Sequence, residues 1–269
     1  MSAPRPRRAY ADGPFGQIHY QEYGAGTPVI LLHQAPMTSG QFDNVYAPLA
    51  RRGIRAIGID MPGFGMSDAT DWTPKVEDYA RSVPSVLDAL GIDRAVVLGH
   101  HTGALVATEV HLQFPARVSA VVMAGPMPLT QAERTDFMEN GYHRERAFKA
   151  RPGGAHLVEL FNTRDKLANG TVTADRISDY VVQALMGHGE FWHGHHAAFQ
   201  YRQEETLALV TCPTLILTNT GDLIYEHALR AQQARPDFAF FALEGGGVDI
   251  VDQQPEEWSE AVANFVKNQ

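Results

Sequence analysis

The chain has 269 residues and a formal net charge of −9, with ordinary shares of apolar and charged residues. That length suits one large α/β domain with a substantial core. The acidic balance, and the lack of a Gly-rich loop carrying a phosphate-binding Lys, argue against nucleic acid as a partner; no apolar run approaches the roughly 20 residues of a membrane span.

The N-terminus, MSAPRPRRAY, is basic but has no apolar centre, so it reads as a short tail or a first edge strand rather than a secretory signal. The single cysteine, Cys212, allows no intramolecular disulfide and is compatible with a reducing cytoplasm. FGQIHYQEYGAGTPVILLH predicts two strands joined by a Gly-rich turn, the second continuously apolar from Pro28 to Leu32 as in a strand buried on both faces. A helix over about 41–51, stopped by Gly53, leads to the strand IRAIGID. KVEDYARSVPSVLDALG then places Val76, Tyr79, Ala80, Val83, Val86, Leu87 and Leu90 at helical spacing, with Pro84 set to kink or divide the helix. RAVVLG reads as a buried strand, followed by the turn Gly99-His100-His101-Thr102-Gly103 and a helix, and RVSAVVMAG as the next strand.

From residue 128 to 207 no convincing strand occurs, and the segment is too long for an ordinary loop. The alternation resumes with PTLILTN, a helix over about 224–234, DFAFFALEG and a last helix. Pro255 suits the first turn of that helix, and Trp258, Val262, Phe265 and Val266 make its apolar stripe. The pattern predicts an α/β fold: a mainly parallel, twisted sheet with helices on both faces, formed by 1–127 and 208–269, with 128–207 inserted as a helical cap.

Five landmarks, in order, resemble the α/β-hydrolase superfamily. VILLHQAP resembles the strand and His-Gly loop that supplies one oxyanion-hole amide. GIDMPGFGMSD resembles the Asp-x-Pro-Gly-x-Gly-x-Ser loop, and VVLGHHTGA the nucleophile elbow. LILTNTGD resembles the strand and turn bearing the catalytic acid, and LEGGGVDIVDQQPEEW the loop of the catalytic histidine. The resemblance covers most of the chain outside the insertion and the N-terminal tail.

Carried over residue by residue, the resemblance implies Asp222 as the acid, but His101 stands in the serine slot of Gly-x-Ser-x-Gly and Val248 in the histidine slot. The usual serine acyl-enzyme route is therefore not available. The amides near Ala35 and of Thr102 are the implied oxyanion donors, although Gln34 replaces the usual small residue and could crowd them. His33 is the family's loop histidine, which usually bonds backbone groups, and His100 usually packs beneath the elbow. An imidazole is longer than a serine side chain, and Val248 is smaller than a histidine. The His101 ring is therefore expected to fill part of the vacated space and point to Asp222 or Asp249, making a His–Asp general base without serine.

GHGEFWHGHHAAF, in the insertion, holds His188, His193, His195 and His196, but their spacing matches no standard metal site. One of these histidines could instead reach the pocket and stand in for the missing one. Trp192, with Phe191, Phe199, Tyr201 and Met186, suggests an apolar lid over a small, partly apolar substrate, most of these residues being expected to pack as the lid's own core. Together these features predict a cofactor-free, cytoplasmic hydrolase of a small ester, lactone or thioester, with a homodimer compatible with the sequence. A lyase, isomerase or decarboxylase reaction in the same pocket and a ligand-binding pseudo-enzyme are the alternatives.

Overall fold

The computed structural model describes residues 5–269; residues 1–4, part of the expected tail, lie outside the described residues. The strands are β1 (Arg7–Gly13), β2 (Gly16–Tyr23), β3 (Thr27–Leu32), β4 (Ile54–Ile59), β5 (Ala95–His100), β6 (Val118–Ala124), β7 (Thr214–Asn219) and β8 (Ala239–Leu243). They form one eight-stranded sheet in the order β1-β2-β4-β3-β5-β6-β7-β8. β2 pairs antiparallel with β1 and β4, and every other pairing is parallel. The basic N-terminal segment is thus an edge strand from Arg7 onward.

Between the strands lie α1 (Tyr46–Arg51), α2 (Val76–Ala80), α3 (Ser82–Ala89) and α4 (Thr102–Gln113). The helix expected over 41–51 is divided: a 3-10 turn covers Ser39–Phe42 and α1 begins at Tyr46. Pro48 has no N–H to donate, so it is accommodated in the first turn of a new helix rather than inside a longer one. Pro84 has the same effect, since α2 and α3 part at Arg81 and place it in the first turn of α3.

Side chains alternate across a strand, and the core follows that alternation. Val29, Leu31, Val96 and Leu98 pack with Tyr46 and Leu49 of α1 on one face. Ile30, Leu32 and Val97 pack with α2, α3 and α4 on the other. Each fully buried aliphatic side chain contributes about 1.5–3 kcal/mol relative to its exposed state.

β6 and β7 are joined through α5 (Gln131–Asp136), a π-helical turn at Phe137–Tyr142, α6 (His143–Arg146), α7 (Ala155–Ala168), α8 (Ala174–Leu185), α9 (His193–Gln200) and α10 (Gln203–Thr206). After β7 come α11 (Tyr225–Ala234), α12 (Ile250–Gln253) and α13 (Pro255–Val266). α13 closes the first face of the sheet through Trp258, Val262 and Val266.

β3 sits between β4 and β5, so the chain leaves β3 in one direction and returns on its other side. In open parallel sheets this reversal opens a crevice beyond the carboxyl ends of the strands. His33 follows β3 and His101 follows β5 at that point, while Asp222 and Asp249 lie in the loops after β7 and β8.

Candidate active site

β5 ends at His100 and α4 starts at Thr102, so the whole turn is one residue, His101, with φ 49° and ψ −111°. A non-glycine residue at positive φ costs on the order of 1–3 kcal/mol and needs firm support. The neighbouring glycines supply it. A Cβ on Gly99 would lie 1.8 Å from the Gly103 carbonyl oxygen, and one on Gly103 would lie 2.0 Å from that of Leu32. Strand and helix therefore meet backbone against backbone. The His101 N–H donates to the Ala124 carbonyl at 2.8 Å, and the Ala104 N–H donates to the His101 carbonyl at 2.8 Å.

The His101 ring lies against Asp222, with Nε2 and Oδ2 2.8 Å apart. The Asp222 side chain is 2% exposed and that of His101 16%. Burial pushes the Asp222 carboxyl up, but the charge and hydrogen bond of His101, the charge of His100 and the Ile224 N–H outweigh it and hold the group at about 2. An ionised Asp222 can only accept, so Nε2 carries a proton, and in the neutral ring Nδ1 is the acceptor. The second oxygen of Asp222 accepts from the Ile224 N–H at 3.2 Å, so the residue also caps the turn before α11.

Beneath the ring lies His100, stacked on His101 with centroids 4.4 Å apart and planes 4° apart. Its Nδ1 lies 3.1 Å from the Gln41 side-chain nitrogen, which donates to it. Burial, with the nearby charge of His101, keeps the His100 ring well below the ordinary histidine range. The Gln41 side-chain oxygen accepts from the Gln34 N–H at 2.9 Å, tying the β3 loop to the end of β5. Sequence reasoning missed this link, because glutamine in a short turn carries no pattern of its own.

His33 is fully buried and serves the backbone, as expected. Its Nδ1 lies 2.9 Å from the Gln34 carbonyl, and its Nε2 accepts from the Met61 N–H at 3.0 Å. Burial lowers its pKa, which suits the neutral ring those two bonds require. Ala35 and Thr102 are both buried beside the elbow. Thr102 opens α4, so its N–H has no intrahelical acceptor. Gln34 is 3% exposed, and its side-chain oxygen has no partner among the described residues.

Of the two acids open to His101, the structure brings Asp222 to the ring. Asp249 instead forms a buried ion pair with Arg164 of α7, the side chains being 2% and 15% exposed. Arg164 also stacks over Tyr180 of α8, 4.6 Å from the ring centroid. Burial raises the Asp249 carboxyl, against the charges of Arg164 and His101. Val248 is half-buried beside it.

The histidines of the insertion do not take the vacant place. His195 Nδ1 lies 2.6 Å from Glu145, while His193 and His196 pack edge-on to Trp192. Among the described residues no three ligand-type side chains converge as a metal site would need. Trp192 lies against Tyr142 and Arg146 and lines a cleft with Asp71 and Trp72. Most of the apolar lid residues pack internally, as expected: Phe191 stacks on Phe148, Phe199 stacks on Phe137, and the Tyr201 hydroxyl donates to Glu109. Met186 is 41% exposed and lines an outward groove with Leu157 and Val182.

A family model described as alpha/beta hydrolase fold matches residues 27–237. The chain belongs to the α/β hydrolase fold family. A 2-hydroxy-6-oxo-6-phenylhexa-2,4-dienoate hydrolase of Comamonas testosteroni is 36% identical over 113 residues, 40% of this chain and 40% of that protein. The match thus spans well under half the length of that relative. A non-heme chloroperoxidase of Streptomyces lividans is 26% identical over 270 residues, 93% of this chain and 96% of that protein. Among solved structures, a bromoperoxidase from Bacillus anthracis overlays with a TM-score of 0.81 at 20% identity, covering 97% of this chain and 100% of that chain. Within this α/β hydrolase fold, the elbow and the acid loop sit where the five landmarks anticipated, at the carboxyl ends of β5 and β7.

Proposed function

We propose that this α/β hydrolase-fold protein is an enzyme that hydrolyses a small carbonyl compound, an ester, lactone or thioester, without a cofactor. His101 is the general base and Asp222 its support. One observation carries the reading: the 2.8 Å contact between His101 Nε2 and Asp222 assigns the ring's proton to that side and leaves Nδ1 as the acceptor.

In this reading the Nδ1 lone pair takes a proton from water as the water oxygen bonds to the substrate carbonyl carbon. The carbonyl oxygen becomes an oxyanion beside the amides of Ala35 and Thr102. Asp222 steadies the imidazolium without taking its proton. The tetrahedral intermediate then expels the alkoxide or thiolate, and the Nδ1 proton passes to that leaving group. Product acid and alcohol or thiol depart, and the base is regenerated.

The inserted segment 128–207 would act as a cap over His101 and Asp222, and a small molecule is the partner the reading requires. A panel of activated esters, lactones and thioesters tests it. Turnover should be present in the purified protein and fall by about 10²–10⁴-fold in His101→Ala, the usual contribution of a general base. Full turnover in His101→Ala sinks the mechanism. Saturable binding with no turnover in any of these substrates replaces it with a ligand-binding role.

A further inference from the structure

A second His–Asp pair lies away from His101. His19 belongs to β2, and Asp60 follows β4, the strand beside it. His19 Nδ1 and Asp60 Oδ2 are 2.8 Å apart, and both residues are buried. Asp60 also accepts from the Ser39 N–H at 2.7 Å and from the Met66 N–H at 3.0 Å. Burial pushes the Asp60 carboxyl up, but the hydrogen bond and charge of His19, with its other neighbours, outweigh that, and the net direction is downward. An ionised Asp60 can only accept, so His19 Nδ1 carries a proton, and in the neutral ring Nε2 is the acceptor. The hydrogen bond to Asp60 is the only one the His19 ring makes among the described residues, so Nε2 has no partner there.

His19 lines a cavity of about 490 Å³ between the β1–β2 edge of the sheet and α8. His101, Asp222, Ala35 and Thr102 are not among its lining residues. The Tyr10 ring lies against that of His19, with centroids 5.3 Å apart and planes 59° apart. Met66, from the loop after β4, and Val182 and Met186 of α8 add apolar wall. Gln183 of α8 fixes the insertion over the cavity, its side-chain oxygen accepting from the Thr38 N–H at 3.3 Å and the Thr38 hydroxyl at 3.0 Å. The charged lining groups balance: Arg8 and Arg176 face Asp43 and Asp179, and Arg176 is also paired with Asp252 at 3.1 Å. Nothing in that set selects a charged ligand.

We propose that this cavity is a second small-molecule site, which takes a neutral phenol whose hydroxyl donates to His19 Nε2 and whose ring lies among Tyr10, Met66 and Met186. The inference goes beyond the proposed hydrolysis and does not depend on it. The volume lies within the range of small-molecule pockets. Thioethers and a tyrosine ring suit a flat aromatic partner. The hydroxyl is required because an apolar group set against a buried acceptor leaves that acceptor unpaired. A ligand held this way touches β2 and α8 together and so bridges the sheet and the insertion.

The test uses full-length protein with isotopically labelled methionine methyl groups, titrated by NMR with phenol and with anisole, in which a methyl group replaces the hydroxyl proton. The Met66 and Met186 signals should move together and saturate with phenol, while those of the core residues Met61 and Met123 stay in place. Anisole should bind about tenfold more weakly, as the loss of one hydrogen bond to a buried group implies. His19→Asn keeps a side-chain amide near the Nδ1 position to donate to Asp60 but removes Nε2, so phenol should then bind no better than anisole. Val182→Trp, at an exposed position that does not involve the His–Asp pair, should obstruct the cavity and abolish both sets of shifts. No saturable shift at Met66 overturns the proposal, and so does equal binding of phenol and anisole. Movement of Met186 alone also overturns it, because that places phenol in the outward groove with Leu157. A preference for phenol that survives His19→Asn, or shifts that survive Val182→Trp, would do the same. The titration needs no turnover, so its outcome is separate from that of the ester, lactone and thioester panel.

Discussion

His101 holds its ring in place through a backbone conformation that its residue type disfavours. The φ of 49° is held by contacts that leave no room for a side chain at Gly99 or Gly103. Gly125 adds a further constraint. It has φ +72°, and a Cβ there would lie 2.6 Å from His101 Cδ2. Gly125→Ala should therefore displace the ring as well as strain the loop. The expected outcome is a stability loss of about 1–3 kcal/mol in denaturant titration, with a drop in turnover that tighter substrate saturation does not recover. At this scale much was legible. The glycines and their place in the chain marked the elbow, and the strand ending in Asn219 marked Asp222. The resemblance already pointed to Asp222 as the acid; that Asp249 pairs with Arg164, 85 positions away, was not legible. Arg164 sits in a segment whose own pattern says nothing about what it meets. Long-range ion pairs leave no periodic trace in a sequence.

Helices of the insertion are tied to one another by polar contacts that the histidine-rich run only hinted at. His195 on α9 and Glu145 on α6 form one such contact at 2.6 Å. Burial lowers the His195 pKa, but the charge and hydrogen bond of Glu145 outweigh it, and the net direction is upward. The sign follows from linkage. A histidine held more tightly protonated in the folded state adds stability below its unfolded value near 6.5, and that stability is lost as pH rises through the folded value. Glu145→Gln should therefore cost more at pH 6 than at pH 9. The gap should be about 0.5–1 kcal/mol, since both side chains are partly exposed, and it can be read from urea unfolding at the two pH values. An equal cost at both pH values would remove the charge from the explanation. The sequence showed that no strand crosses 128–207, and none does. It could not show which aromatics face inward, because an apolar helix stripe packs equally well on neighbouring helices or on a pocket.

Over the whole molecule, the sheet and the insertion meet through an apolar cluster that takes in Ala197 and Ala198 of α9 and through a few buried polar groups at α8. Asp252 on α12 is the main one, its side chain 3% exposed. It accepts from Asn44 at 2.6 Å, from Arg176 of α8 at 3.1 Å and from the Tyr180 hydroxyl. Arg176 also donates to the Gly40 and Gln41 carbonyls, at 3.0 and 3.1 Å. Gln41 is the residue that holds His100, so the same region supports both the inserted helices and the floor of the site. Asp252→Asn takes the nearest charge partner from buried Arg176 and leaves it Asp179 and Asp43, at 3.8 and 3.9 Å; breaking such buried pairs costs up to about 3–5 kcal/mol. Hydrogen exchange should quicken in α7 and α8 while the central strands β3 and β5 stay protected; uniform quickening across the sheet would contradict this division. The sheet itself was the most legible part of the protein. Its buried strands are short apolar runs between clear stops, and one alternation of side chains serves both faces at once.

Gly187 and Gly189 rest on Gly63, and Gly194 rests on Ala35, with the Gly189 N–H donating to the Gly63 carbonyl at 2.8 Å. The distance between cover and floor is therefore set by carbons that are missing. A methyl group at Gly194 would start 2.5 Å from the Ala35 Cβ, which makes it a shim of known thickness driven into the seam above the loop that follows β3. An engineer who wished to widen that seam could choose among such shims by size, without touching His101 or Asp222.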